Sequence, residues 1–217
     1  MKIIGVGGLA RAGKDTFVSI ARSVFEKNGY NTFKFAFADL MKKEIEIVLK
    51  NNNFPIDIYN CTGEEKERLR PLMVWWGCAR RQYSTQGLYW VNHVNKLISK
   101  LPEDERTVIF ISDVRFQNEA NWLKDVGGVF IHLKKYNVID GRDGYGDTIE
   151  TKKFDVPPNE EEAKNDPIIA SMADVGIEWE NKTGKIAIED ADLRQVVLDT
   201  LNLTKFFKHT STGILTA

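Results

Sequence analysis

Residues Gly8-Leu9-Ala10-Arg11-Ala12-Gly13-Lys14 stand between an apolar, β-branched run, Lys2 to Val6, and a stretch whose apolar residues Phe17, Ile20, Ala21, Val24 and Phe25 fall at helical spacing. A strand that enters a glycine-bounded turn and leaves it as a helix fixes more of this chain than any other feature. Glycines let the backbone curl so that successive N–H groups point inward. The helix N-terminus adds partial positive charge, and Lys14 adds a full one. The string matches the glycine-to-lysine part of the phosphate-binding loop, and a glycine-rich turn that binds nothing is the plainer alternative. One position departs from that motif. A serine or threonine normally follows the lysine and ligates Mg²⁺, whereas here Asp15 stands there and Thr16 comes next. Asp15 would hold Mg²⁺ or bond a substrate group near the transferring phosphoryl; as a plain first-turn acid it would favour the helix dipole. Thr16 remains placed to touch a phosphate.

Further along, the spacing predicts a strand over Thr32 to Phe37, a helix over Leu40 to Leu49 and a loop over Asn51 to Gly63. Leu69, Leu72, Met73 and Trp76 share one helical face, as do Trp90, Val94, Leu97 and Leu101. Val108 to Ile111 is a wholly apolar strand, followed by a helix with Phe116, Ala120 and Leu123, then a strand over Val129 to Leu133. A strand at Val175 to Trp179 and a helix from Asp190 to Leu201 complete the order. Apolar strands alternating with helices predict an α/β, three-layer fold: a parallel sheet flanked by helices on both faces. Tyr136 to Asp166 stands apart, with nine acidic and four basic residues and the Pro157-Pro158 pair. Lacking an apolar stripe, it reads as a mobile excursion over the sheet or as a disordered insertion. Lys205 to Ala217 reads as a loosely ordered tail.

Composition excludes several classes. The 217 residues carry a formal net charge of −1, with no basic excess to coat a nucleic acid polymer or a membrane surface. Two cysteines, Cys61 and Cys78, and the scattered His93, His132 and His209 form no disulfide framework or metal-ligand pattern. No apolar run approaches the roughly 20 residues of a bilayer span, and the glycine-rich start is unlike a signal peptide. The expectation is a reduced, cytoplasmic, single-domain protein.

Two further groups of residues suit phosphate chemistry. Val108-Ile109-Phe110-Ile111-Ser112-Asp113 is an apolar strand ending in an aspartate, the form that orients Mg²⁺ and its waters beside a phosphate loop. Arg115 follows and would clamp a phosphate bidentately, or make a helix-capping ion pair. Arg68, Arg70, Arg80 and Arg81 flank a helix bearing Trp75 and Trp76. Transfer between two anions needs such cations; a solvated helix face explains some of them, so Arg70 and one of Arg80 and Arg81 are the stronger candidates. Trp76, Tyr89 and Trp90 would stack on a base, although Trp75 and Trp90 read better as core.

Taken together, Gly8 to Thr16 with its Lys-Asp-Thr ending, Phe35-Ala36-Phe37-Ala38-Asp39 with Lys42, Arg70-Pro71-Leu72-Met73 before Gly77, Tyr89-Trp90-Val91, and Asp113-Val114-Arg115 with Glu119 resemble the bacteriophage deoxynucleoside monophosphate kinases. These belong to the nucleoside monophosphate kinase-like P-loop fold. The likeness covers residues 1 to 135 well and the remainder loosely. It implies transfer of the γ-phosphoryl of ATP, with Mg²⁺, to a deoxynucleoside monophosphate, in the cytoplasm of the host cell, and it suggests a homodimer. It implies a core of residues 1–37, 101–135 and 171–204, a monophosphate-binding region at 38–100 and a lid at 136–170. The ATP phosphates would meet Gly8, Ala12, Gly13, Lys14 and Thr16, with Arg142 from the lid. Arg11 would lie between donor and acceptor. Asp15 and Asp113 would serve the metal. Arg70 and Arg115 would hold the acceptor phosphate or the transferring group, together with Lys42. Asp39, Trp76, Arg80, Arg81, Trp90 and Glu119 would complete the acceptor site. The family often has a histidine and an acid after its lid; here that place holds Ile168-Ile169-Ala170-Ser171.

Three other readings are open to such a chain. A P-loop kinase of another phosphorylated metabolite, of the phosphomevalonate or dephospho-coenzyme A type, shares the loop. So does a non-catalytic ATP-binding module. A guanine switch needs an Asn-Lys-x-Asp reader, and Asn181-Lys182-Thr183-Gly184 lacks the aspartate.

Overall fold

A computed structural model describes residues 1–142, 148–181 and 191–204, leaving aside the side chains of 140–142, 148 and 149. The elements run β1 (Lys2–Gly7), α1 (Lys14–Lys27), β2 (Asn31–Phe35), α2 (Phe37–Asn51), α3 (Gly63–Gln82) and α4 (Tyr89–Ile98). They continue with β3 (Thr107–Val114), α5 (Gln117–Asp125), β4 (Val129–Arg142), β5 (Thr148–Phe154), α6 (Glu160–Met172), β6 (Val175–Glu180) and α7 (Ala191–Leu203). The chain divides into two compact units, one of Met1–Lys34 with Glu103–Ala217, the other of Phe35–Pro102.

The larger unit is built on the sheet. Its strand order is β2-β3-β1-β4, with β6 parallel to β4 and β5 antiparallel to the far half of β4. β1 lies parallel to both β3 and β4, with Ile4 opposite Phe110 on one side and Val129 on the other. Side chains alternate across the strands. Ile4, Val6, Val108, Phe110, Ile131 and Leu133 join Phe17, Ile20, Val24 and Phe25 of α1 and Val197 and Leu201 of α7 in one core. The other face is covered by α5, whose Leu123 lies where Gly5 has no Cβ: a methyl there would sit 2.2 Å from it. α6 packs on α5 and β4 on that same face. The result is a mostly parallel sheet flanked by helices, as the apolar strands require. The helices that follow β1 and β3 cover opposite faces although the two strands are neighbours. Their carboxyl ends therefore open a crevice, the place where open α/β sheets bind ligands.

The segment expected to lack regular structure is different. β4 runs on to Arg142 and pairs with β5 as an antiparallel ribbon, Tyr136 opposite Phe154 and Ile139 opposite Thr151. A two-stranded ribbon exposed on both faces presents no buried side, so its sequence carries no apolar stripe. It is held instead by the Tyr136–Phe154 ring contact, centroids 5.8 Å apart, and by Lys152 over the Tyr136 ring. α6 was hidden for a similar reason, since it docks through polar groups, Glu162 and Asp166, as much as through Ile169. Asn159 caps it by accepting from the Glu162 N–H. The tail, Lys205 to Ala217, and Lys182 to Gly184 lie outside the described residues.

The smaller unit is helical. Ile45 and Leu49 of α2 pack with Ile58 and Leu69, joined by Met41, Met73 and Trp76. α3 begins at Gly63, well before the apolar face that predicts it, because Thr62 and Glu65 form a reciprocal capping box.

Candidate functional site

The β1–α1 loop starts at the crevice. Gly8 and Gly13 take φ of +129° and +87°, and at Gly13 glycine is required twice over. Its backbone is left-handed, and a Cβ would lie 2.3 Å from Cζ2 of Trp179. Trp179, on β6, donates its Nε1–H to the Ala12 carbonyl at 2.8 Å, so the indole both fixes the loop and closes the space beside it. The Ala12 N–H returns to the Leu9 carbonyl at 3.1 Å. Gly13 caps α1 without a side chain, which leaves the first-turn amides of α1 facing the loop.

Lys14 opens α1, yet it is 8% exposed. Its ammonium curls back to donate to the carbonyls of Gly8 at 2.8 Å and Leu9 at 2.7 Å. Burial lowers its pKa to about 8, and the Arg115 guanidinium pushes the same way against the opposing pull of Glu162, Asp113 and Asp15. The loop thus gathers Lys14, Arg115 and Asp113 from the ends of two adjacent strands.

A fourth group, Glu162, was missed. This carboxylate is 8% exposed. Its Oε2 accepts from the Ala10 N–H at 2.7 Å, and its Oε1 accepts from Nη1 of Arg115 at 2.6 Å. The acid that reaches the loop therefore comes from the first turn of α6, upstream of Ile168 to Ser171. The signal available was Asn159, a good N-cap, three residues ahead of an acid.

The other expected site residues divide between the loop's surroundings and places away from it. Asp15 points outward, its side chain 82% exposed and paired with Lys34 at 2.6 Å. Arg11 is exposed, and with Gly13, Thr16, Lys135, Trp179 and Asn181 it lines a cavity of about 150 Å³. Glu119 is 1% exposed, and its Oε2 accepts from the N–H groups of Arg115 and Phe116. It caps α5 rather than meeting a substrate, and through the Arg115 backbone it steadies the turn after β3. The side chain of Arg142 lies outside the described residues.

In the smaller unit, Glu44 is the centre that the sequence reading lacked. Its Oε2 accepts from Trp76 Nε1 at 2.6 Å and Arg80 Nε at 3.0 Å, and its Oε1 from the Tyr89 hydroxyl at 2.5 Å. Arg80 also lies over the Trp76 and Tyr89 rings, 5.5 and 5.0 Å from their centroids. Burial pushes the Glu44 carboxyl up, but the bonds from Tyr89, Trp76 and Arg80 outweigh it and hold it below the usual range. Arg70 is forked onto Glu67 at 2.8 and 2.7 Å, and Arg68 pairs with Glu64. Asp39 accepts from the Ala36 N–H at the start of α2; Lys42 and Arg81 are half-buried. Trp90 is 2% exposed and donates to the Gly77 carbonyl, so it is core. Trp75, expected in the core, is 64% exposed.

Among the described residues no three His, Cys, Asp or Glu side chains gather as a metal site. Mg²⁺ asks for less, one or two carboxylates plus phosphates and water. Half-buried Asp113, within electrostatic reach of Lys14, fits that need; the carboxylate of Asp15 is engaged by Lys34. No helix among the described residues is long and apolar enough to cross a membrane.

No family model matches this chain, and no curated protein matches it. Solved structures offer distant likenesses. A sugar kinase of Janibacter sp. HTCC2649, in its unliganded structure, is 15% identical over 94% of this chain and 96% of its own, with a TM-score of 0.35. The protein APE1195 is 14% identical over 60% of this chain and 59% of its own, with a TM-score of 0.28. At these scores neither likeness bears on what this chain does.

Proposed function

We propose that this chain is an ATP-dependent phosphotransferase whose acceptor is a deoxynucleoside 5′-monophosphate. The observation that carries this reading is the convergence of a left-handed glycine loop, a buried lysine, an aspartate and an arginine at the crevice between β1 and β3. Such a site suits an anion whose charge is spread over several oxygens. In this reading the loop from Gly8 to Gly13, with Lys14 and Thr16, holds the ATP phosphates. Asp113 would hold Mg²⁺, which would supply positive charge to offset that of the phosphates. Arg115 and Arg11 stabilise the transferring phosphoryl. The cavity beside Thr16 and Trp179 offers the donor's nucleoside an aromatic wall.

The smaller unit takes the acceptor. Arg70, Lys42 and Arg81 supply positive charge for its phosphate, and Arg80 with Trp76 and Tyr89 supplies a polar, aromatic surface for a base. An acceptor phosphate oxygen attacks the γ-phosphorus, the bond from that phosphorus to the oxygen bridging the β- and γ-phosphates breaks, and the products are ADP and the nucleoside diphosphate.

Initial rates of ADP formation from ATP and Mg²⁺, with each deoxy- and ribonucleoside monophosphate in turn, test this. Strong stimulation by one or more deoxynucleotides is expected. ATP binding without stimulation by any nucleotide would move the acceptor to another phosphorylated metabolite or leave a binding module.

A further inference from the structure

Glu162 does something the proposed reaction does not ask of it. Its carboxylate lies against a loop amide, Ala10 N–H, and the Arg115 guanidinium, and it pulls on Lys14. An amide, a guanidinium and an ammonium are the donors that a phosphate oxygen takes in such a loop. The carboxylate is nearly buried. Asn159 caps the start of α6 by accepting from the Glu162 N–H, and its amide also donates to Glu162 Oε1 at 3.4 Å, so the bond to Ala10 is not needed to start α6. Two anions cannot share these donors without strong repulsion.

We propose that Glu162 is a built-in competitor for the phosphate site: it fills the loop while no nucleotide is bound, and an entering phosphate displaces it. This rests on the loop being a phosphate site, as in the reading above. The consequence is a reserve of binding held back. Apparent affinity falls by the fraction of molecules whose loop is open, and ligand entry frees Arg115 from its internal acid. It also loosens α6, whose Asp166 sits one turn further on and pairs with buried His132 at 2.9 Å. Loop occupancy and α6 docking would therefore oppose one another.

Calorimetric titration of wild-type protein and Glu162→Gln with ATP and with inorganic pyrophosphate tests this. The amide keeps the size and an acceptor oxygen but lacks the charge, and it is expected to bind both ligands about tenfold more tightly. Equal or weaker binding by the variant, with wild type still binding, overturns the competition and makes Glu162 a clamp that supports the loop. Binding by neither protein overturns this inference together with the phosphate-site reading. Hydrogen exchange of the unaltered protein gives a second measurement that does not depend on the variant folding. Pyrophosphate is expected to slow exchange across residues 8–14 and to speed it across 160–166. Slower exchange in both segments would overturn the proposal.

Discussion

The β1–α1 loop and the arginine-bearing side of α3 both offer positive charge, and they hold it in different ways. In the loop the charge belongs to the backbone and to a lysine that is 8% exposed, and the acid opposing it arrives from Glu162, far along the chain. On α3 Arg68 and Arg70 each have an acid one turn away, Glu64 and Glu67, in pairs that are largely or partly exposed. Such pairs are worth roughly 0–1 kcal/mol, so an incoming dianion easily exchanges them. The loop is preset by the fold; Arg68 and Arg70 are recruitable. Substitutions should therefore cost much in the first region and little in the second.

The largest effect is expected at Lys14. Lys14→Ala should lower phosphoryl transfer by at least about a hundredfold, with an unchanged far-ultraviolet spectrum; near-normal turnover would remove the loop from the mechanism. The unaltered protein carries a related signature. Burial favours the neutral amine, so the folded group loses its proton near pH 8, well below the ordinary 10.5. The cost of burying the charged form weighs on folding below pH 8 and is relieved as pH rises toward 10.5. ATP binding, which needs the ammonium, should weaken by up to about tenfold per unit above pH 8. Isothermal titration between pH 7 and 10 measures this, and affinity flat across that range would mean the ammonium contributes nothing.

Gly13→Ala should come next, at about 2–4 kcal/mol of stability. The new methyl must displace the Trp179 indole 2.3 Å away while the backbone holds φ +87°. A loss below about 0.5 kcal/mol by denaturant unfolding would show that the indole yields freely. In the smaller unit the corresponding weak point is Glu44. Glu44→Ala leaves Trp76, Arg80 and Tyr89 without their shared acceptor and should cost about 2–3 kcal/mol. The sign with pH follows from the depressed carboxyl. The stability that Glu44 adds over Glu44→Gln is present above its ordinary value of 4.5 and fades as pH falls through the lower folded value. A difference that persists unchanged in acid would mean that the charge is irrelevant and shape alone matters.

The same contrast explains what could be read from the residues. The loop was legible because its parts are contiguous: strand, glycines, lysine and helix follow in register. Asp113 and Arg115 were legible because an apolar strand points at them. Glu162 was not, since its partners are separated from it by most of the sheet and α6 buries few apolar side chains to mark itself. Glu44 was hidden for the opposite reason. It sits among ordinary helical charges, and nothing in its sequence neighbourhood tells that Trp76, Arg80 and Tyr89 fold onto it. Trp75 and Trp76 show the limit of residue type as a guide: adjacent in sequence, one is 64% exposed and the other donates to Glu44. The ribbon of β4 and β5 went unread because alternation without burial leaves no pattern.

The smallest effect is expected at the pair that tests recruitability itself. Glu67→Gln removes the charge that Arg70 now faces at 2.7 Å while leaving an amide oxygen in reach. Stability should shift by less than about 0.5 kcal/mol, because half of the Glu67 side chain lies in solvent. If Arg70 turns to an acceptor phosphate, that phosphate no longer competes with a carboxylate, and KM for the nucleoside monophosphate should fall about threefold with KM for ATP unchanged. Arg70→Ala should move the same constant the other way and by more. An unchanged acceptor KM in both variants would place Arg70 with Arg68 as a surface pair. Equal changes for both substrates would put it on the donor, and the division of charge between the loop and α3 would have to be redrawn.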